Sequence, residues 1–224
     1  MTNVADKARI VLFGREGGFS DSVLERLLGS GLCIVGVVIS SLKSNRPPFP
    51  VKVTQPEKSE RFEKIARQNK IPVLTYRDIN QSEFLDELQT LRSDIILVAC
   101  FEEKIPQVIW GDLRIPCWNL HPSMLPKHRG RSPLFWQIAK SEPDTGLTLH
   151  QVSDKLDAGD IIIQKSVLLP LKRDNFTLNN WVAEHGIEIF LLALEQYING
   201  KLKQIPQDEN CASYHPENKY EAVR

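Results

Sequence analysis

Ile115-Pro116-Cys117-Trp118-Asn119-Leu120-His121-Pro122, residues 115–122, is the stretch on which the fold turns. Its apolar first half stops at a polar pair and a proline, as a buried strand does where it emerges at the edge of a sheet. Pro122 cannot donate to a ladder, so the strand is expected to end near His121. Asn119 and His121 stand two apart, and on an extended backbone their side chains leave the same face. An amide and an imidazole are then aimed together at the carboxyl end of the strand, where open α/β sheets bind ligands. Taken alone, an Asn-x-His pair is more often a turn with solvated side chains. The surroundings change the odds. Lys127-His128-Arg129-Gly130-Arg131, between Pro126 and Pro133, is a basic loop, and Asp157 sits in a Gly-bounded turn before the apolar run Ile161-Ile162-Ile163. Amide, imidazole, carboxylate and two guanidiniums beside strand ends make a catalytic inventory.

Upstream, apolar runs at 9–13, 33–39, 71–74 and 94–100 alternate with amphipathic stretches at 19–28, 57–69 and 81–91. Ser20 is the expected N-cap of the first helix, and Gly29 or Gly31 its stop. Continuous apolar strands separated by helices predict right-handed crossovers and an open, mostly parallel, twisted sheet with helices on both faces. Ser40 to Pro56, rich in Pro, Ser and Lys, is expected to be a mobile surface loop. Downstream, 132–140 is expected as a helix, 146–152 and 161–169 as an antiparallel pair, and 177–199 as a long amphipathic helix stopped by Gly200. From Lys201 the chain reads as irregular. The domain reading is a catalytic domain over 1–206 and a short irregular extension over 207–224, with no second domain.

Charge and cysteines narrow the function classes. Lys and Arg total 28, as do Asp and Glu, and they are interspersed. A nucleic-acid surface usually leaves a basic excess, so polyanion binding is disfavoured. The Lys127 to Arg131 cluster suits a phosphate-bearing small molecule instead. Cys33, Cys100, Cys117 and Cys211 are widely spaced, and the first three lie in apolar runs as buried, inert thiols. No leader or membrane span is visible, which predicts a cytoplasmic protein. Gly14 and Gly17-Gly18 lack the Gly-x-Gly-x-x-Gly spacing, and no acid ends the second strand, so dinucleotide binding is a poor fit. His121, His128 and His150 lack ligand spacing, so no metal site is expected. His128, His150, His185 and His215 are assigned to packing or surface roles.

Asn119-Leu120-His121-Pro122-Ser123-Met124-Leu125-Pro126, Arg129-Gly130 and Leu156-Asp157-Ala158-Gly159-Asp160-Ile161 together resemble the formyltransferases that use 10-formyltetrahydrofolate. The resemblance runs from about residue 8 to the end. Lys127 to Leu134 and Thr145 to His150 look most like the members that formylate amino sugars on nucleotide carriers. The resemblance implies formyl transfer to a primary amine, most closely that of an amino-sugar nucleotide, with Asn119, His121 and Asp157 catalytic. Asn119 would donate to the oxyanion, His121 would stabilise it and carry a proton, and Asp157 would orient and polarise His121. It also implies donor binding by Glu103, Lys104 and Ile105, by Arg131, and by the pterin-enclosing loop Ser153, Asp154, Lys155 and Leu156. At Glu102-Glu103 the chain departs from the aromatic followed by a small or basic residue that many members carry. Ser123 lacks a nucleophile elbow and is expected to cap the turn after Pro122.

Other readings stay open. A methionyl-tRNA formyltransferase-like protein is the alternative acceptor reading, disfavoured here by neutral charge and by the lack of the basic C-terminal domain of that enzyme. A formyltetrahydrofolate hydrolase and a non-catalytic folate-binding protein are further alternatives. The oligomeric state is left open, a homo-oligomer included.

Overall fold

The computed structural model describes residues 8–40, 61–101, 103–142 and 144–216. Most of the expected Ser40–Pro56 loop, the start of the 57–69 helix, Glu102 and the tail from 217 lie outside the described residues. Among the described residues a single sheet runs in the order β3-β2-β1-β4-β5-β6-β7. Its strands are β1 (Arg9–Phe13), β2 (Cys33–Ser40), β3 (Val73–Tyr76), β4 (Ile95–Val98), β5 (Cys117–His121), β6 (Asp144–Gln151) and β7 (Ile161–Leu168). The first five are parallel, and β6 and β7 join antiparallel. The order reverses between β1 and β4, which makes a topological switch point, and open α/β sheets bind ligands at the carboxyl ends of the strands beside such a point.

The pleat sorts β1 into two layers. Ile10 and Leu12 pack with α1 (Gly18–Gly29), α2 (Arg61–Gln68) and α5 (Asn175–Ile198); Val11 and Phe13 pack with α3 (Ser82–Thr90) and a π-helical turn at Val108–Asp112. Because both faces are covered, β1 from Ile10 onward and all of β4 are apolar rather than alternating. The long helix α5 starts at an Asp174 cap, whose carboxylate accepts from Thr177 N at 2.9 Å, and ends before Gly200 at φ 65°. Helix α4 (Pro133–Ala139) opens on a proline at its first turn, where the missing N–H costs nothing.

Several expectations are corrected. Gly17, not Ser20, caps α1; Ser20 Oγ donates instead to Ala99 O at 2.7 Å, pinning the helix start to the end of β4. Strand β3 begins two residues later than its apolar run, because Ile71 N still closes α2 on Ala66 O. Cys117 is buried, but Cys33 and Cys100 are only half-buried, and Cys100 sits at φ 61° where β4 turns out of the sheet. The π-helical turn had no signal in the sequence. Among the described residues no helix is long and apolar enough to cross a membrane.

Residues 205–216 lack regular structure apart from one 3-10 turn at Glu209–Cys211 and are mostly exposed, yet they are hydrogen-bonded to the body of the fold. Ile205 pairs with Ile161, and Tyr214 with Arg129. This segment forms a strap across the loops that follow β5 and β6.

Candidate functional site

Strand β5 delivers Asn119 and His121 to one face, as their spacing requires. Strand β6 runs antiparallel beside it and sets His150 opposite Asn119. The loop after β6 then folds back until Asp157, at φ 53°, meets all three side chains. Asp157 Oδ1 accepts from Asn119 Nδ2 at 3.3 Å and lies 3.6 Å from His150 Nε2. Asp157 Oδ2 accepts from Gly130 N at 2.8 Å and lies 3.6 Å from His121 Nδ1. The three residues proposed from the sequence are therefore brought together, and the basic loop contributes a backbone amide to the same carboxylate.

The hydrogen-bond network fixes the tautomers. His121 Nε2 lies 2.9 Å from His128 O, so it carries the proton and donates; Nδ1 keeps its lone pair, turned toward Asp157. His150 Nδ1 is 2.9 Å from Gln151 O and donates to it, so His150 Nε2 accepts from Asn119 Nδ2 at 3.0 Å. Both hydrogens of the Asn119 amide are thus engaged, the one toward Asp157 over the longer distance. His150, assigned from sequence to packing or surface, is a member of the site. Its position one residue before the end of a strand that pairs with β5 was the available signal, but it needed the β5–β6 register to be read.

Burial sets the charges. His121 is 4% exposed, and its burial pushes the imidazole below its usual range despite the nearby Asp157 carboxylate. Burial alone would raise Asp157. The imidazolium of His121 that forms in acid and the Gly130 N–H outweigh it and hold the carboxyl well below its ordinary range. At neutral pH the pair is a neutral imidazole facing an ionised carboxylate. A proton arriving at His121 Nδ1 would complete an ion pair with Asp157.

The donor-binding candidates come together in part. Lys104 Nζ and Asp154 Oδ1 pair at 3.0 Å, joining the 103–105 segment to the 153–156 loop beside Asp157. Ile105 is buried, while Leu156 is an exposed large apolar side chain. Ser153 Oγ donates to Lys155 O. Glu103 is half-buried, and Arg131 is exposed just ahead of α4. Ser123 Oγ donates to Lys127 O at 2.7 Å, closing the turn after Pro122.

The basic loop differs from its sequence reading. Arg129 is fully buried and turned onto the strap, donating to Gln207, Glu209 and Tyr214. His128 is buried too, with Nε2 at 2.8 Å from Glu142. Only Lys127 and Arg131 of that cluster remain exposed, which weakens it as a phosphate clamp. Hollows of about 240 and 470 Å³ lie at the opposite, amino ends of the strands, lined in common by Arg114, Ile115, Pro116 and Tyr197. Among the described residues no cluster of three or more His, Cys, Asp or Glu is placed to hold a metal ion.

Comparison with known proteins adds a family. Residues 9–194 match the model of the Formyl transferase family. The chain is 33% identical over 218 residues to a methionyl-tRNA formyltransferase of Halalkalibacterium halodurans, which covers 93% of this chain but 63% of the relative. It thus spans less than two thirds of that relative's length. Among solved structures it superposes on HypX from Aquifex aeolicus in complex with tetrahydrofolic acid, with TM-score 0.66, 21% identity and 95% of this chain against 30% of that one. It also superposes on the sugar 3N-formyl transferase WlaRD, with TM-score 0.62, 21% identity and 94% of this chain against 70% of that one. At these identities the superpositions establish the fold.

Proposed function

This chain belongs to the formyl transferase family, and from that premise we propose that it transfers a formyl group from 10-formyltetrahydrofolate to a primary amine. The observation that carries the reading is the convergence of Asn119, His121 and Asp157 on one buried spot at the carboxyl end of β5. Attack of the amine on the formyl carbon builds an oxyanion, releases an amine proton and expels the folate nitrogen, which takes up a proton. Asn119 serves the oxyanion by giving up its longer bond to Asp157, and one such donor is worth roughly 3 kcal/mol in the barrier. His121 takes the amine proton at Nδ1, the ring atom left unprotonated by the bond from Nε2 to His128 O. Asp157 then faces an imidazolium across 3.6 Å and stabilises it until the proton passes on to the leaving nitrogen. The paired loops around Lys104 and Asp154 lie beside this spot, and with Glu103, Ile105, Ser153, Lys155, Leu156 and Arg131 they are the proposed folate-binding residues.

For the acceptor, the amino group of methionyl-tRNA has the firmer support, since the relatives above 30% identity carry that activity in their names. The amino-sugar nucleotide favoured by the local motifs is the second reading; its support is those motifs at Lys127 to Leu134 and Thr145 to His150 and the fold shared with a sugar 3N-formyl transferase. Incubation with 10-formyltetrahydrofolate and either methionyl-tRNA or a panel of amino-sugar nucleotides, followed through release of tetrahydrofolate, tests both. Release with one acceptor alone selects it. Release without any amine makes the chain a hydrolase, and no release under any condition removes the enzymatic reading.

A further inference from the structure

Gln207 sits in the strap, fifty residues from Asp157 in sequence. It is buried, and every hydrogen-bonding atom of its side chain has a partner. Its Oε1 accepts from Arg129 Nε at 3.1 Å and Arg129 Nη2 at 2.8 Å. That pairing fixes the orientation of the amide, so Nε2 must face the other way and donate. It donates to Asp157 O at 2.9 Å and Gly159 O at 2.7 Å. The two carbonyls flank the turn that presents the Asp157 carboxylate, and no other described side chain donates to either. Asp157 itself occupies a left-handed conformation, and the main-chain bond within the turn is the 3.3 Å one from Ala158 N to Lys155 O. Arg129 in turn is anchored to the strap by Glu209 and Tyr214, and its own main chain pairs with Ser213 and His215.

We propose that Gln207, oriented by Arg129, is a positioning residue that holds the Asp157 turn so that its carboxylate reaches Gly130 N, His121 and Asn119. The proposal rests on the formyl-transfer reading for its catalytic purpose. Its structural content does not, because the Gly130 N–H bond to Asp157 Oδ2 reports the place of the carboxylate whether or not the chain turns over.

Two variants separate positioning from simple packing. Gln207→Met keeps the length and removes both donated bonds together with the two accepted from Arg129, which keeps its bonds to Glu209 and Tyr214. Gln207→Glu keeps an oxygen for Arg129, so the strap stays docked, but sets its second oxygen against the two carbonyls. Amide hydrogen exchange is followed at Gly130 and, as a control on strap docking, at His215 and Arg129, whose N–H groups bond Arg129 O and Ser213 O. In both variants exchange at Gly130 is expected to quicken about tenfold or more while the controls stay protected. The kcat for formyl transfer should fall roughly ten- to a hundredfold with the donor KM little changed. Unchanged protection at Gly130 in a folded variant overturns the proposal. Loss of protection at all three amides together also overturns it, because Gln207 would then only fasten the strap. Faster exchange at Gly130 with undiminished kcat overturns the catalytic purpose. A wild-type protein that transfers no formyl group would instead refute the functional reading and leave the exchange result standing.

Discussion

Replacing Asp157 by Asn preserves the shape of the side chain and removes its charge. The carboxylate is ringed by donors, with Gly130 N–H at 2.8 Å on one oxygen and the Asn119 amide at 3.3 Å on the other. An Asn has one oxygen, so in either orientation its NH2 faces one of these donors, and one bond is lost. A hydrogen bond to a charged group contributes about 1.5–3 kcal/mol, and relief from burying a charge offsets part of that, so the net destabilisation should be about 1–3 kcal/mol. The effect on rate should be larger. In the proposed mechanism His121 then has no partner for the proton it takes, and the loss of general acid–base assistance should lower kcat roughly 100- to 10,000-fold. Urea denaturation gives the first quantity and tetrahydrofolate release the second. The pH dependence follows from the depressed carboxyl. Its folded pKa lies below the ordinary value of 3.8, so its contribution is fully present above 3.8 and disappears as the pH falls through the folded value. The stability gap between the two proteins should therefore hold steady at neutral pH and narrow in acid. An Asn variant as stable as the parent at pH 7, with a rate within a factor of two or so, would refute the reasoning.

Three other substitutions probe the same architecture. Asp21 is 4% exposed and its Oδ1 has no hydrogen-bond partner among the described residues; burial, with Glu16 nearby, pushes its carboxyl up to about 6. A raised folded pKa means stability is lost as pH climbs from the unfolded 3.8 through 6, so Asp21→Asn should stabilise by up to about 3 kcal/mol at pH 8 and by little below 3.8, as urea titrations at the two pH values would show. At Gly159 an added Cβ would stand 1.9 Å from Gln151 O, a backbone atom that cannot yield. Gly159→Ala should displace the Asp157 turn at a cost of about 2–3 kcal/mol, seen as a lower Tm together with lost formyl transfer. His150→Phe keeps a ring but removes the acceptor that orients Asn119; kcat should drop about tenfold with the donor KM unchanged, the equivalent of one lost hydrogen bond.

The local pattern of the chain made the architecture readable. Continuous apolar runs such as Ile95–Val98 and amphipathic stretches such as Ser82–Thr90 report burial on two faces or on one, and burial follows the short periods of strand and helix. The shared face of Asn119 and His121 was legible for the same reason, since a spacing of two decides it on any extended backbone. The sequence by itself therefore determined the layered sheet and two side chains of the site. Tertiary structure alone decided the rest. His150 became a partner of Asn119 only through the register of β6 on β5, and Arg129 turned inward only because the strap supplied Gln207, Glu209 and Tyr214. The place of Asp157 depends on Gly130, 27 residues before it, and Gln207, fifty after. Contacts across such separations are set by how distant segments pack, and no local periodicity carries that information.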